Sequence, residues 1–343
     1  MILPPSRGPL TTALFSALRG RIAMPVDGLV AHARAADVSA AGASHDDFHL
    51  GLWCAYQLHY SGFEDVDDRW EWEPDLLRVR RVMEDRFEAE LKSRTAGLVQ
   101  EALDGDGDVG DCLFAMTERF QGPSLASYLH REATREQLLE FMVHRSIYNL
   151  RESDPQAFTL PRLDGAAKVA LAEILYDEFG AGRPERLHST LFARAMTGCG
   201  LAAEFGAYLP DVPSSTLAVT NAMNLFALHR VNAAAALGHF GAFEATSSEP
   251  SRHLVGAIDR LGLPNEVRAY FDEHVEADAV HEQIAFRTMC GGLAASDPAH
   301  APALFFGAAT CLVTEADAGT ALLEAWATGR RSLSRSPQGW RVA

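Results

Sequence analysis

The chain has 343 residues, 48% of them hydrophobic and 22% charged, a balance that excludes a disordered chain and leaves ample apolar material for a core. Its formal net charge of −16 leaves no basic surplus to neutralise phosphates, which argues against nucleic acid or an anionic membrane as partners. The start, MILPPSRGPLTTALFSALRGRIAMP, lacks a charged run leading into an apolar block, and nowhere do about 18 apolar residues follow one another, so neither a signal peptide nor a membrane span is expected.

In chain order, the leading segment 1–103 reads as helical. Residues 76–102 place Leu77, Val79, Val82, Met83, Phe87 and Leu91 at spacings of three and four, the period of a helix with one apolar face. The acidic stretch 61–75 reads as a structured loop that Trp70 and Trp72 anchor to the core. DGDGDVGD at 104–111 sets Asp104, Asp106 and Asp108 at alternate positions. Val109 stands where a calcium loop needs its turn glycine, and Ala115 where it needs a bidentate Glu. The stretch therefore reads as a solvated linker, with Asp111 capping the next helix.

The second part, 112–330, reads as helices near 112–120, 134–152, 166–180, 184–198, 215–246, 251–261, 264–295, 299–311 and 315–327. GAGRP at 180–184, LPDVP at 209–213, SSEP at 247–250 and SDP at 296–298 punctuate them. Sustained alternation of Val, Ile and Thr is nearly missing, so the expected class is all-α. Cys54, Cys112, Cys199, Cys290 and Cys311 lie far apart with no C-x-x-C pair, a pattern of reduced thiols in a cytoplasmic protein.

The sharpest chemical signal is EHVEADAVHEQ at 273–283. It sets His274, Asp278 and His281 at i, i+4 and i+7, within an arc of roughly 60° and along about 10 Å of helix axis. Two imidazoles and a carboxylate on one stripe suit one or two metal ions better than solvent, whereas Glu273, Glu276 and Glu282 fall on other faces. Glu244 ends an Ala- and Phe-rich helix. An acid there is costly to bury unless it is paired or bound to metal, although the helix end could simply reach solvent. In LAEILYDEFGAGRPERLHSTLF, Glu178 precedes His188 by ten residues and Glu185 precedes it by three. Glu185-x-x-His188 is the acid–His spacing of carboxylate-bridged bundles. Pro184 breaks the helix between, so ideal geometry cannot relate Glu178 to His188. Glu152 closes the helix expected at 134–152.

Taken together these residues resemble the haem-oxygenase-like di-iron oxidases, also called iron-containing redox enzymes. The resemblance covers 112–330, and its most specific parts are the His274-x3-Asp278-x2-His281 helix and DEFGAGRPERLHS. It implies a haem-oxygenase-like helical bundle with an additional N-terminal helical segment, 1–103, that dimerises the chain into a homodimer. It implies two Fe(II) ions per chain, O2 as co-substrate, a small-molecule substrate and an external electron donor such as a ferredoxin-like protein. Carried across, the ligands are His188, His274, His281, Asp278, Glu244 and Glu152, with Glu178 as the extra carboxylate and Glu185 as its competitor. Within the family an extra carboxylate looks like a mark of members that oxygenate nitrogen, the nitrosourea-forming N-oxygenase among them. N-oxygenation of a small amine is therefore the expected activity, with oxidative C–C cleavage or desaturation of a small carboxylic or amino acid as the alternative. A helical iron-binding or partner-binding protein without turnover is the alternative of another class.

The chemistry of these side chains agrees with an iron site, because imidazole and carboxylate suit Fe(II) and several acids in an apolar core repel one another without cations. His144 and Tyr148 share a face with Glu152 and could orient a ligand, but a satisfied core pair is the plainer expectation. His45 and His49 lack the acid of an H-E-x-x-H motif and read as structural. No G-x-S-x-G, P-loop or G-x-G-x-x-G motif supports hydrolysis or nucleotide binding.

Overall fold

The computed structural model describes residues 1–20, 25–38 and 43–334, with the side chains of 43, 44 and 276–279 outside the described set. Among the described residues every regular element is helical. The leading helices are α1 (Pro9–Leu18), α2 (Val26–Ala35), α3 (Ala43–Gln57) and α4 (Pro74–Leu103). Then follow α5 (Val109–Arg119), α6 (Leu125–Arg131), α7 (Arg135–Asn149), α8 (Asp154–Ala157), α9 (Gly165–Glu178) and α10 (His188–Gly198). The rest are α11 (Ser214–Ala227), α12 (Ala233–Ala245), α13 (Ser248–Leu261), α14 (Asn265–Gln283), α15 (Gly291–Ser296) and α16 (Ala301–Ala327). A π-helical stretch, Ile284–Cys290, joins α14 to α15. No helix among the described residues is long and apolar enough to cross a membrane.

Local chemistry sets most boundaries. Pro74 opens α4, where its missing N–H costs nothing, and the helix buries Leu76, Val79, Met83, Phe87 and Leu91 while Leu77 and Val82 reach the rim. A reciprocal capping box starts α7: the Gln137 N–H donates to Thr134 Oγ1 at 3.3 Å and the Thr134 N–H to Gln137 Oε1 at 2.9 Å. The cap of α5 is Asp108, which accepts the Asp111 N–H at 2.9 Å, rather than Asp111 itself. Asp111 instead accepts from Arg287. Trp72 does not anchor its loop, being 68% exposed, whereas Trp70 packs on the core.

Several boundaries differ from their sequence positions. The helix expected over 215–246 breaks between α11 and α12, where Arg162 donates to the Ala227 and Leu228 carbonyls and so satisfies the end of α11. The stretch 264–295 holds the π segment. The helices expected at 299–311 and 315–327 are one, α16, with no breaker between them.

Leu14, Phe48 and Met83 belong to the same apolar core as Ile147, Phe226 and Tyr270, so the leading helices share the interior with the later ones. A second core joins Leu113, Leu171, Phe240, Phe286 and Leu304 across α5, α9, α12, the π segment and α16. Helices α12 and α16 cross at very close range. A Cβ at Gly238 would lie 1.9 Å from the Leu304 carbonyl oxygen, and one at Gly307 would lie 1.9 Å from that of Ala235. Gly238 and Gly307 allow that approach, and Gly238 lies on the helix that carries Glu244.

Candidate metal centre

Helix α14 supplies the spine of the site. His274 and His281 are seven residues apart, two turns, and so project from one stripe about 10 Å apart along the axis. Each meets a separate group of buried donors. Glu152, His188 and His274 form one triad, and Glu178, Glu244 and His281 the other, with the potential ligand atoms of each triad within 4.8 Å of one another. None of the six residues is more than 8% exposed.

The first triad forms where α7 ends. Glu152 sits in the turn after α7, and the next residue, Ser153, holds a left-handed φ of 66°, a strained conformation for a residue with a Cβ. The Tyr270 hydroxyl lies 3.1 and 2.9 Å from the two Glu152 carboxylate oxygens and accepts from Asn149 Nδ2 at 2.6 Å. One turn beyond Tyr270, His274 Nδ1 bonds the Tyr270 carbonyl at 2.8 Å, which fixes the Nδ1–H tautomer and turns Nε2 towards Glu152, 3.6 Å away. The His188 and His274 rings stand 4.6 Å apart.

The second triad depends on the chain reversal between α9 and α10. Glu178 is the last residue of α9, and short 3-10 turns over Gly180–Gly182 and Pro184–Arg186 return the chain to His188, the first residue of α10. Gly180 is obligatory there: its φ is +76° and a Cβ would lie 2.6 Å from the Leu187 amide nitrogen. The result is a Glu178 carboxylate whose two oxygens face different triads. Oε2 lies 3.2 Å from His188 Nδ1 and accepts from Ser153 Oγ at 3.1 Å, while Oε1 lies 3.7 Å from His281 Nδ1. From α12, Glu244 Oε2 lies 3.2 Å from His281 Nδ1. The other ring nitrogen, His281 Nε2, meets Asp177 Oδ2 at 3.4 Å, at the surface.

Protonation follows this geometry. Burial works to raise the Glu178 pKa, but His188, His274 and His281 hold it down at about 2. Glu244 is pushed up by burial and by the Glu178 charge. Burial would lower His281, yet Glu244, Glu178 and Asp177 carry it up to about 9. His188 is raised by Glu178 against the same burial. Without metal, protons on the histidines neutralise the carboxylates, and a cation would displace those protons.

Three imidazoles and three carboxylates, with no thiolate, form a donor set of oxygen and borderline nitrogen that fits Fe(II). The ion pairs of Glu152, Glu178 and Glu244 are with histidines alone among the described residues, so the cluster has a place for external positive charge.

Of the residues singled out from sequence, Asp278 lies on the α14 backbone four residues after His274, but its side chain falls outside the described residues. Glu185 is exposed in the Pro184–Arg186 turn and stands outside both triads. His144 bonds Thr216 and Ser332 at 2.6 and 3.0 Å, a satisfied buried histidine. Tyr148 accepts the Ser153 N–H, and burial with the charges of Glu152, Glu178 and Glu244 pushes its pKa up. His45 bonds Ser214, and His49 packs on Phe48 and Phe87. Sequence reasoning missed Tyr270, Asn149, Ser153 and Asp177. Tyr270 alone had a readable signal, since it extends the His274–His281 stripe by one turn.

An all-helical bundle enclosing two buried His–carboxylate triads is the frame of a metalloprotein. The profile of the iron-containing redox enzyme family matches residues 139–316, just over half of the chain and all six donors, and the chain belongs to that family. Its helical architecture is accordingly haem-oxygenase-like. No curated protein matches the chain.

Proposed function

We propose that the two triads hold two Fe(II) ions and that the protein is an O2-dependent di-iron oxygenase acting on the nitrogen of a small amine, with electrons from an external donor. The first position takes Glu152, His188 and His274; the second takes Glu178, Glu244 and His281, with Asp278 as a further donor. The observation that carries the reading is Glu178, whose carboxylate offers one oxygen to each triad. Such a carboxylate would serve both metal positions, and it matches the extra acid that, in the family the chain resembles, marks members that oxygenate nitrogen. Iron supplies the capacity to reduce O2, which zinc lacks.

The chain's own residues do the rest. Tyr270 orients Glu152, and its backbone carbonyl fixes the tautomer of His274. A cavity of about 440 Å³ reaches Glu152 and His274 from outside, with Phe243, Phe271 and Leu312 among its walls. That size suits a small organic molecule.

The test is product analysis on reduced, iron-loaded protein given O2 and panels of small amines and small carboxylic acids. An N-oxygenated amine is the expected product. A shortened or unsaturated acid instead would transfer the site to carbon chemistry, and absence of O2 uptake with every compound would remove the enzyme reading.

A further inference from the structure

The cavity carries a second polar feature outside both triads. Arg145 of α7 reaches Glu315 of α16 with one nitrogen, Nη1, at 3.0 and 3.2 Å from the two carboxylate oxygens. Its guanidinium lies over the Phe243 ring, 5.4 Å from the centroid. The other guanidinium nitrogens make no hydrogen bond to protein among the described residues. Both side chains line the cavity that ends on Glu152 and His274, and at 23% and 33% exposed the pair is not sealed inside the protein.

An ion pair that merely braced two helices would do so better as apolar packing, because taking both charges out of water costs several kcal/mol per ion. This pair is instead half-engaged and open on one side. An open Arg–Glu pair is neutral overall, and it has a definite order of charges along the wall. A bare amine meets a Glu315 already neutralised by Arg145, and a bare carboxylate meets the mirror situation. A zwitterion satisfies both partners at once, its carboxylate on the planar guanidinium fork and its ammonium on Glu315.

We propose that Arg145 and Glu315 form the recognition subsite for the α-carboxylate and α-ammonium of an amino acid, whose side chain extends towards Glu152 and His274. This rests on the reading of the cavity as the substrate site, and it narrows the small amine of that reading to a free α-amino acid.

Binding is measured by calorimetry on iron-loaded protein under nitrogen, so that turnover plays no part. The probes are L-norleucine with pentylamine and hexanoate, which lack its carboxylate and its ammonium respectively, and L-lysine with cadaverine and 6-aminohexanoate. At least one amino acid is expected to bind about tenfold to a hundredfold more tightly than either truncated partner, the range for losing one charge-assisted hydrogen bond. Arg145→Met should abolish that preference. Because Arg145→Met strands Glu315, the double variant Arg145→Met with Glu315→Met serves as the folded reference, checked by circular dichroism and iron content, and it too should bind all three partners alike. The subsite is refuted by either amino acid binding no better than its truncated partners in both series, by no amino acid binding, or by a double variant that keeps the preference. Tight amino-acid binding without O2 consumption would leave the subsite standing and remove the oxygenase reading.

Discussion

Glu178 and His188 face each other at 3.2 Å across a chain reversal that neither of their helices could make alone. Glu178 closes α9 and His188 opens α10, so the GAGRPERL segment between them is what brings an acid and an imidazole into one buried site.

The first prediction contrasts two acids of that segment. Glu178→Ala should abolish N-oxygenated product while a metal titration still fills the Glu152–His188–His274 position. Glu185→Ala should leave metal binding and product unchanged, since Glu185 is exposed and outside both triads. Reversed phenotypes would return the site to the Glu185-x-x-His188 pairing.

His281 tests the two-metal arrangement. Two triads predict close to two irons bound per chain, and His281→Ala should lower this to one while the far-ultraviolet helical signal is retained. Wild-type protein that holds one metal and gains nothing from excess Fe(II) would contradict the assignment.

The site's outer support is equally open to measurement. Asp177 is the surface carboxylate that holds His281 Nε2 at 3.4 Å. Loss of such a partner typically weakens metal affinity about 10- to 100-fold. Asp177→Ala should therefore weaken one of two binding steps in a competition titration, with the other step unmoved.

Metal-free protein should show a pH profile of stability with a definite shape. His281, raised from 6.5 to about 9, contributes stability that is complete below 6.5 and lost as pH rises through about 9. Glu178, lowered from 4.5 to about 2, contributes above 4.5 and loses it as pH falls through about 2. Glu244, raised above 4.5, acts in the opposite sense and costs stability once the pH exceeds that value. Thermal midpoints of metal-free protein should thus fall from about pH 6.5 towards 9, and His281→Ala should flatten that limb. An unchanged limb in the variant would assign the fall to other groups.

Packing gives the fifth prediction. Gly307→Ala would place a Cβ 1.9 Å from the Ala235 carbonyl oxygen and force α12 and α16 apart. Overpacking of this kind costs roughly 1–3 kcal/mol, to be read from denaturant melts. Because α12 carries Glu244, iron affinity at the second triad should fall with it.

How much of this the sequence displayed depends on how local the cause is. His274 and His281 were legible because one helix fixes their relation, and Glu244 because an acid stands out in an apolar run. The Glu178–His188 contact was not, since two glycines and an alanine in left-handed conformations set the reversal, and no helical period describes it. Tyr270 sits in plain view on the α14 stripe, yet its bond to Glu152 depends on where the turn after α7 lands. At the break between α11 and α12 the freed carbonyls are met by Arg162, far away in sequence, a partner that no local pattern around 228–232 announces. The N-cap of α5 shows the limit in miniature: Asp108 and Asp111 are both good caps, and only the docking of Arg287 on Asp111 separates them.

The order in which the chain leaves the ribosome has a bearing on α14. Neither triad has its histidines complete before residues 274 and 281 have emerged, and α16, which packs against α12, follows them in the chain. A nascent chain therefore carries Glu152, Glu178, His188 and Glu244 through most of synthesis as unsatisfied acids and an imidazole, which must stay hydrated until the closing helices arrive. On the proposed reading, a chain cut short after residue 300 would own every donor without the helix that packs against α12.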